Sequence, residues 1–209
     1  MIILGIHDGH NSGASIFKNG KMLVAISEEK ITRNKNEYGY PERSVKKCLK
    51  SANIRNDQID FVAVSTKYLP PKYFLVKRNT TFKIEDYLKE QKEYWYQKIY
   101  ENKKILYTSL FKDKLIPKKN FLYDKKFFKN EDDVIGMQKA RKMLISKKTK
   151  VSLNKIEFFD HHECHAYYGY YGSDVQSKRV IIVTADGGGD NTNGSIWIVS
   201  KNKLIEKYR

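Results

Sequence analysis

The alternation of apolar and polar positions predicts strands near the start of the chain. Residues 1–7 form a short apolar run, and residues 14–29 hold two alternating runs on either side of Asn19-Gly20. Asn-Gly supplies the positive φ angles that a two-residue hairpin needs. A third apolar run at residues 60–66 predicts a further strand.

Apolar residues spaced three or four positions apart predict the helices. Residues 41–54 show this spacing, with Pro41 near the helix start, where proline is favoured. Residues 85–111 combine the same spacing with many aromatic side chains and predict one or two helices with one face exposed to solvent. Residues 131–148 and 161–173 predict two more helices.

A strand is predicted at 155–160, and the strands predicted within 178–209 repeat the pattern of the opening. GIHDGHNSGASIFKNGKMLVA and VTADGGGDNTNGSIWIVSKNKLIE each contain a strand, an aspartate at its end, a polar turn with glycine, and a hairpin. The second hairpin closes at Lys201-Asn202. Two such units predict a duplicated α/β fold whose two turns face each other across a cleft. The alternative is coincidence, because any two hairpins with Gly-Asn turns look alike.

Charge singles out the middle of the chain. Of the 209 residues, 40% are hydrophobic and the formal net charge is +16, yet residues 61–159 alone carry 24 basic and 11 acidic side chains. The excess is nearly all lysine, whereas readers of bases and phosphates favour arginine forks. We therefore expect a solvated basic face rather than a nucleic-acid site. This change of composition along the chain predicts three segments, namely residues 1–67, a lysine- and aromatic-rich helical insertion at 68–130, and residues 131–209.

The chain has no apolar run of roughly 18 residues that could cross a bilayer. Its first residues lack the basic start of a signal peptide. The two cysteines lie far apart in sequence, which is a poor framework for a disulfide. These features predict a reduced, cytoplasmic protein without a membrane partner.

The segment DHHECHA holds three of the five histidines. On a helix, His161 and His165 share one face, so that two imidazole nitrogens can converge on one zinc or iron ion. His162 and Cys164 point away from that face. Asp186 ends the next predicted strand, and groups at strand ends gather at the same edge of an α/β sheet. The sequence therefore predicts a metal site of His161, His165 and Asp186, against the alternative of an ordinary helix start.

Three motifs together resemble the O-carbamoyltransferase family, which includes Nod-factor carbamoyltransferases and antibiotic tailoring enzymes. They are GIHDGHNSGASIFKNGKMLVAISEEKITRNKNEYGYP, DHHECHA and VTADGGGD, in the family's order. Two departures stand out. The family turn His-Asp-Ser reads His10-Asn11-Ser12 here, and Lys30 replaces the first arginine of the family's Glu-Glu-Arg run.

The resemblance implies an actin-like ATPase (ribonuclease H-like) fold, with the N-terminal lobe and the start of the second lobe in this chain. It implies a divalent metal, with iron favoured and zinc possible, at His161, His165 and Asp186. It also implies ATP with magnesium at the two polar turns. The cofactor-binding residues would be Asp8, Asn11, Ser12, Gly187, Gly188, Gly189 and Asp190. Of these, Asp8 and Asp190 would hold the phosphate-bound magnesium through water.

The implied reaction is transfer of a carbamoyl group from carbamoyl-adenylate, made from carbamoyl phosphate and ATP, to a small sugar-like or antibiotic-like hydroxyl acceptor. His10 or His162 would carry the hydroxyl proton, since histidine titrates near neutrality. The alternative is that His10 only hydrogen-bonds its own turn.

Members of the family also carry an adenylate-forming domain and a further aspartate ligand, and neither has a counterpart here. We therefore expect a fragment, one half of a split gene, or a degraded copy that is inactive alone. The rival hypothesis from another class is a non-catalytic or split-subunit binding module, whose basic surface meets an acidic partner or nucleic acid.

Overall fold

The computed structural model describes residues 1–175, 179–200 and 203–209, which form a mixed α/β structure with two sheets. The larger sheet has the strand order β3-β2-β1-β4-β5 and the smaller one β6-β7-β8. The strands are β1 (Ile2–His7), β2 (Gly13–Lys18), β3 (Lys21–Ser27), β4 (Phe61–Ser65), β5 (Ile156–Phe159), β6 (Ile181–Gly189), β7 (Thr192–Ser200) and β8 (Lys203–Tyr208). The helices are α1 (Glu28–Thr32), α2 (Glu42–Ser51), α3 (Pro71–Leu75), α4 (Arg78–Thr81), α5 (Ile84–Lys89), a π-helix (Glu90–Tyr96), α6 (Gln97–Ile99), α7 (Tyr107–Leu110), α8 (Val134–Thr149) and α9 (His161–Tyr171).

The first three strands form an antiparallel meander, and β4 and β5 add parallel to β1. The β2–β3 hairpin turns at Asn19 and Gly20, both with positive φ, as the dipeptide predicts. Alternate side chains of β1, β2 and β4 are buried, which gives the sheet a continuous apolar core made of Leu4, Ile6, Ala14, Ile16, Val62 and Val64. The predicted opening strands are confirmed.

Helix α2 packs on this sheet and covers residues 42–51 of the predicted range 41–54. It buries Val45, Cys48 and Leu49 at helical spacing. Its first turn is held by the carboxylate of Glu28, which accepts the backbone N–H groups of Arg43 and Ser44. Glu28 belongs to the short helix α1, which the hydrophobic pattern did not predict, because residues 28 and 29 were assigned to the preceding strand.

Helix α8 covers the same sheet and confirms the helix predicted at 131–148. It begins after Asp133, whose side chain accepts the N–H of Gly136, and it buries Met137, Ala140 and Ile145 in the main core. Although α8 and β5 lie in the predicted segment 131–209, they pack with the first sheet. The second sheet begins only with β6.

The middle of the chain forms short helices around a small aromatic core of their own. Val76, Tyr94, Tyr107 and Phe111 make this core. The π-helix joins α5 and α6 into one continuous helical stretch. The helices predicted at 85–111 are thus present, but residues 101–106 between α6 and α7 are not helical.

The second sheet is an antiparallel meander that α9 covers on one side. Thr184, Ser195, Trp197 and Val199 are buried. The opposite face exposes aliphatic side chains, namely Ile181, Val183, Ile196 and Ile205. The turn predicted at Lys201-Asn202 lies outside the described residues. Among the described residues, no helix is long and apolar enough to cross a membrane.

Candidate metal-binding cleft

The two histidines of the predicted metal site stand at the start of α9, which follows β5 after one residue. Asp160 caps the helix, since its Oδ1 accepts the N–H groups of His162 and Glu163 at 2.9 and 3.1 Å. Such a cap satisfies donors that the first turn otherwise leaves free. Arg209 donates to the other Asp160 oxygen at 2.6 Å. The orientation of His161 and His165 is therefore fixed from the helix start.

Asp186 reaches the histidines because β6 is irregular there. Ala185 pairs with Gly194 and Gly189 with Thr192, so that the three residues 186–188 bulge out of the ladder. The tight turn lies one step later, at Asp190 and Asn191, both with positive φ. The predicted glycine-rich turn at 187–189 is thus wrong in position: the glycines belong to a bulge that brings Asp186 to α9, and two short polar residues make the turn.

The three predicted ligands converge. Nε2 of His161 lies 2.7 Å from Oδ2 of Asp186 and 3.0 Å from Nε2 of His165. Nε2 of His165 lies 3.3 Å from the same oxygen. Atoms bound to one ion at about 2.0–2.1 Å are about 2.9–3.4 Å apart at coordination angles of 90–109°. Two of the three separations lie in this range, and the one between His161 and Asp186 is shorter, at 2.7 Å, as for a direct hydrogen bond. A small widening of that pair would fit a zinc- or iron-type ion, and metal binding itself stays a prediction.

Charge and access agree with this geometry. The hydrogen bond from His161 holds the pKa of Asp186 below its ordinary value, so that the carboxylate is ionised. The exposed fractions of the side chains are 21% for His161, 40% for Asp186 and 51% for His165. One side of the triangle thus faces solvent, as a site that receives a substrate requires. Burial raises the pKa of Cys164 to about 12, which disfavours the thiolate that metals bind.

Gly189 is needed for the close approach of β6 to α9. A Cβ atom placed on Gly189 would overlap the ring of His161. At Gly187 a Cβ would meet nothing within 4 Å, and Gly188 has φ of 145°. The third glycine of the run thus makes room for a predicted metal ligand, whereas the first two expose bare backbone to the cleft described below.

Asp190 ties three segments together at this corner. Its carboxylate accepts the N–H of His161 at 2.7 Å and those of Lys67 and Tyr68 at 2.9 and 2.8 Å. The side chain is buried. Magnesium, which Asp190 was predicted to hold, would therefore have to compete with three backbone N–H groups that already donate to the Asp190 carboxylate.

Asp8 is engaged in a similar way. Arg141 of α8 donates to both Asp8 oxygens, at 2.9 and 2.5 Å, and both side chains are completely buried. The same guanidinium donates to the carbonyl of Thr66 at 3.0 Å. Neither aspartate that was predicted to bind a nucleotide-bound magnesium thus presents a free carboxylate to the cleft.

The two predicted proton carriers lie in different environments. His162 is fully buried, where Nε2 faces the carbonyl of Thr192 at 3.2 Å and Nδ1 faces the hydroxyl of Thr184 at 2.7 Å. His10 is exposed and lines the cleft. Although the residue is exposed, partial desolvation of its ring in the cleft lowers the pKa of His10, as does the charge of Arg78, so that the neutral form of the ring predominates at pH 7. Of the two, His10 has the access that proton transfer requires.

The remaining predicted residues of the first turn are divided. Asn11 is exposed, with φ of 58°, and its amide lies 3.4 Å from Nδ1 of His10. Ser12 is fully buried, its hydroxyl has no hydrogen-bond partner among the described residues, and its backbone N–H donates to the carbonyl of Glu37. Asn11 is therefore open to a ligand, and Ser12 lies beneath the turn.

Both polar turns open into one cleft of about 1560 Å³. His10 lies in one turn and residues 186–193 in the other, which agrees with two turns that face each other across a cleft. The predicted insertion supplies a further wall, with Arg78, Trp95 and Phe121 among its lining residues. The lysine-rich segment is thus part of the candidate site, although no sequence motif indicates this.

Two residues at the site were not predicted from the sequence. Thr66 follows β4, and its hydroxyl lies 3.4 Å from Nδ1 of His161. The argument from strand ends that selected Asp186 applies equally to Thr66. Arg141 lies among the apolar positions of α8, and a charge within an apolar stripe is the signal that could have marked it.

A family model described as Carbamoyltransferase N-terminus matches residues 2–208. The chain belongs to this family. It is 24% identical over 202 residues to uncharacterized protein sll1178 of Synechocystis sp., a match that covers 95% of this chain and 27% of that protein. It is 22% identical over 195 residues to nodulation protein NolNO of Sinorhizobium fredii, with 93% of this chain and 22% of that protein covered.

A shorter match is more similar. The chain is 46% identical over 63 residues to uncharacterized protein MJ1051 of Methanocaldococcus jannaschii, which covers 30% of this chain and 12% of that protein. These three matches thus cover 12% to 27% of the relatives' own length.

Proposed function

We propose that this carbamoyltransferase N-terminus chain forms the part of a carbamoyltransferase at which a carbamoyl group passes to a hydroxyl acceptor. The observation that carries the proposal is the convergence of His161, His165 and Asp186 at the edge of the cleft. Two imidazoles and one carboxylate on an open edge are typical of a metal that assists a reaction. The mixed sheet, and the two meanders whose turns open into the same cleft, support the proposal of an actin-like fold.

The metal would be divalent, with iron favoured and zinc possible. When bound, it would polarise the carbamoyl carbonyl or lower the pKa of the acceptor hydroxyl. The chain's own residues would hold it and orient the reactants. His10, neutral at pH 7 and exposed in the cleft, would take the proton that the hydroxyl loses.

The nucleotide part of the proposal rests on bare backbone. Gly187 and Gly188 line the cleft without side chains, so that phosphate oxygens can approach their main chain closely. Asn11 is open on the facing turn. Since Asp8 and Asp190 are engaged by protein donors, magnesium would be held mainly by ATP itself. Carbamoyl-adenylate would be made from carbamoyl phosphate and ATP by an adenylate-forming domain outside the residues described here.

Metal analysis tests the site directly. We expect a stoichiometric divalent ion in the wild-type protein and its loss in His161→Ala and His165→Ala. His10→Ala is the matched control, since the proposal gives this histidine a proton and no metal bond. Equal metal content in all four proteins would refute the metal site.

Turnover tests the reaction. The chain is incubated with carbamoyl phosphate, ATP and a panel of sugar or aminoglycoside acceptors, with and without the adenylate-forming part of a relative. We expect carbamoylated acceptor only when both parts are present, and His10→Ala should lower the rate while the metal stays bound. A metal-loaded chain that transfers no carbamoyl group under either condition would contradict the proposal.

A binding module remains the second candidate, because the 24 basic side chains of residues 61–159 favour an acidic partner. Several of these lysines are paired within the chain, among them Lys72 and Lys98 with Asp132 and Lys114 with Asp86. This candidate predicts retention on nucleic acid that weakens steeply as salt rises. Weak retention without salt dependence would remove it.

A further inference from the structure

The backbone of Thr66 lies in a region that β-branched residues rarely adopt. Its φ is 71°, which is left-handed and a genuine outlier for threonine. The residue is buried, follows β4 directly, and borders the candidate metal site. Such strain persists only where the surrounding structure imposes it, and it is concentrated at functional sites.

Two buried side chains impose this conformation. Arg141 donates to the carbonyl of Thr66 at 3.0 Å, while its other donors are fixed on Asp8. On the other side, Asp190 accepts the next two backbone N–H groups, those of Lys67 and Tyr68. The peptide group that follows the left-handed residue is therefore held at its carbonyl by Arg141 and at its N–H by Asp190, two charged partners that α8 and the β6–β7 turn provide.

The consequence of this conformation lies at His161. The hydroxyl of Thr66 is 3.4 Å from Nδ1 of the His161 ring, on the opposite side of the ring from Nε2, which meets Asp186 and His165. Asp190 also accepts the N–H of His161, so that one carboxylate anchors both the threonine segment and the histidine backbone. A partner for the second ring nitrogen is what commonly orients a metal-binding histidine.

We propose that Thr66 is a positioning residue, held in a left-handed conformation by Arg141 and Asp190 so that its hydroxyl fixes the His161 ring with Nε2 toward Asp186 and His165. The inference rests on the proposed function for the identity of the ligand, a divalent ion. Its backbone part, and the restraint of the ring, concern the metal-free protein and can be tested there.

The backbone is tested with a pair of variants that lack the hydroxyl. Thr66→Gly should be more stable than Thr66→Ala by roughly tenfold in the folding equilibrium constant, because only glycine adopts positive φ without steric cost. The matched control is Ala63→Gly in β4, where the glycine variant should be less stable than the wild-type protein. If Thr66→Ala is the more stable member of its pair, the left-handed conformation is not present and the proposal fails.

The positioning role is tested with Thr66→Val and Thr66→Ser. Valine keeps the β-branched shape without the hydroxyl, and serine keeps the hydroxyl. By titration with Zn²⁺ against a competing chelator, we expect affinity to fall about tenfold or more in Thr66→Val and to stay near wild type in Thr66→Ser. Equal affinity in wild type and Thr66→Val at equal stability would overturn the positioning role.

A metal-independent measurement separates this inference from the proposed function. Relaxation of the 13C-labelled His161 ring in the metal-free protein reports whether the ring is held. We expect a rigid ring in wild type and Thr66→Ser and a mobile ring in Thr66→Val. If wild type binds no Zn²⁺, the proposed metal site fails, and the ring measurement still decides the role of Thr66. Equal ring mobility in the three proteins would overturn it.

Discussion

At the scale of single residues, Gly189 offers the sharpest test of the candidate site. A Cβ at this position overlaps the His161 ring, so Gly189→Ala must move either α9 or the bulge. We expect a loss of about 1–3 kcal/mol in the free energy of unfolding, as for other overpacked sites, together with loss of bound metal. Gly187→Ala is the matched control, because nothing lies near its Cβ. Thermal unfolding and metal analysis of both variants check this, and equal behaviour of the two would contradict the described approach of β6 to α9.

The buried pair of Asp8 and Arg141 makes a second residue-scale prediction. Arg141→Met removes one partner and leaves an unpaired carboxylate in the core, so the free energy of unfolding should fall by about 3–5 kcal/mol. The exposed pair of Arg55 and Asp57 is the control, since Asp57→Asn should leave the free energy of unfolding nearly unchanged. Urea unfolding measures both.

The cause can be separated from the size of the effect. If the unpaired charge destabilises Arg141→Met, the double variant with Asp8→Asn should recover much of the lost stability. A double variant as unstable as the sum of the two single ones would argue against a buried charge as the cause.

The sequence could predict some residues of the site and not others. His161 and His165 follow from helical spacing, and Asp186 follows from its position after a strand. The roles of Asp190 and Arg141 depend on backbone and side-chain partners far away in sequence, such as Asp8, which lies 133 positions from Arg141. No local pattern encodes such a partner, so the predicted magnesium role of Asp8 could not be weighed against this ion pair.

At the scale of elements, variants of two helix caps can distinguish an effect on stability from an effect on metal binding. Asp160 caps α9 and Asp133 caps α8. Replacing either by alanine removes the acceptor of N–H groups in the first helical turn and should lower the free energy of unfolding. Only Asp160→Ala should also weaken metal binding, because α9 carries His161 and His165. Chemical unfolding and Zn²⁺ titration of the two variants test this. Metal affinities that fall equally in both would mean that general destabilisation, and not the orientation of α9, is measured.

Elements were predicted best where the local sequence decides them. Asn19-Gly20 determines its turn by conformational preference alone, and the structure has it as predicted. The position of the second turn was wrong because three glycines resemble a turn, whereas the ladder of β6 and β7 continues to Gly189 across a bulge. Helix α1 was missed because Glu28 becomes helical while capping α2, which is a tertiary contact.

At the scale of the whole molecule, the two sheets meet where the chemistry is expected. β4, β5 and α9 approach the β6–β7 turn, and the carboxylate of Asp190 connects them. The basic middle segment closes another side of the cleft. Two of its basic side chains, Lys77 and Arg78, therefore lie beside the proposed reaction site, and Arg78 is paired with Glu90.

The uncovered face of the second sheet should make protein molecules attract one another in solution. Ile181, Val183, Ile196 and Ile205 are exposed together, and within the described structure β6 pairs on one edge only. Such faces favour association, while the net charge of +16 keeps molecules apart. Salt screens the repulsion and leaves the apolar attraction, so light scattering should show attraction between molecules growing as salt is added.

Substituting Val183→Thr and Ile196→Thr together keeps the β-branched shape and should abolish most of this attraction, whereas Ile84→Thr on α5, also exposed, should not. Scattering that is the same for wild type and the double variant would contradict this origin. Retention on nucleic acid, by contrast, weakens with salt. A single salt series thus separates the two surfaces. Association that grows with salt indicates the apolar face, and binding that weakens with salt indicates the basic surface.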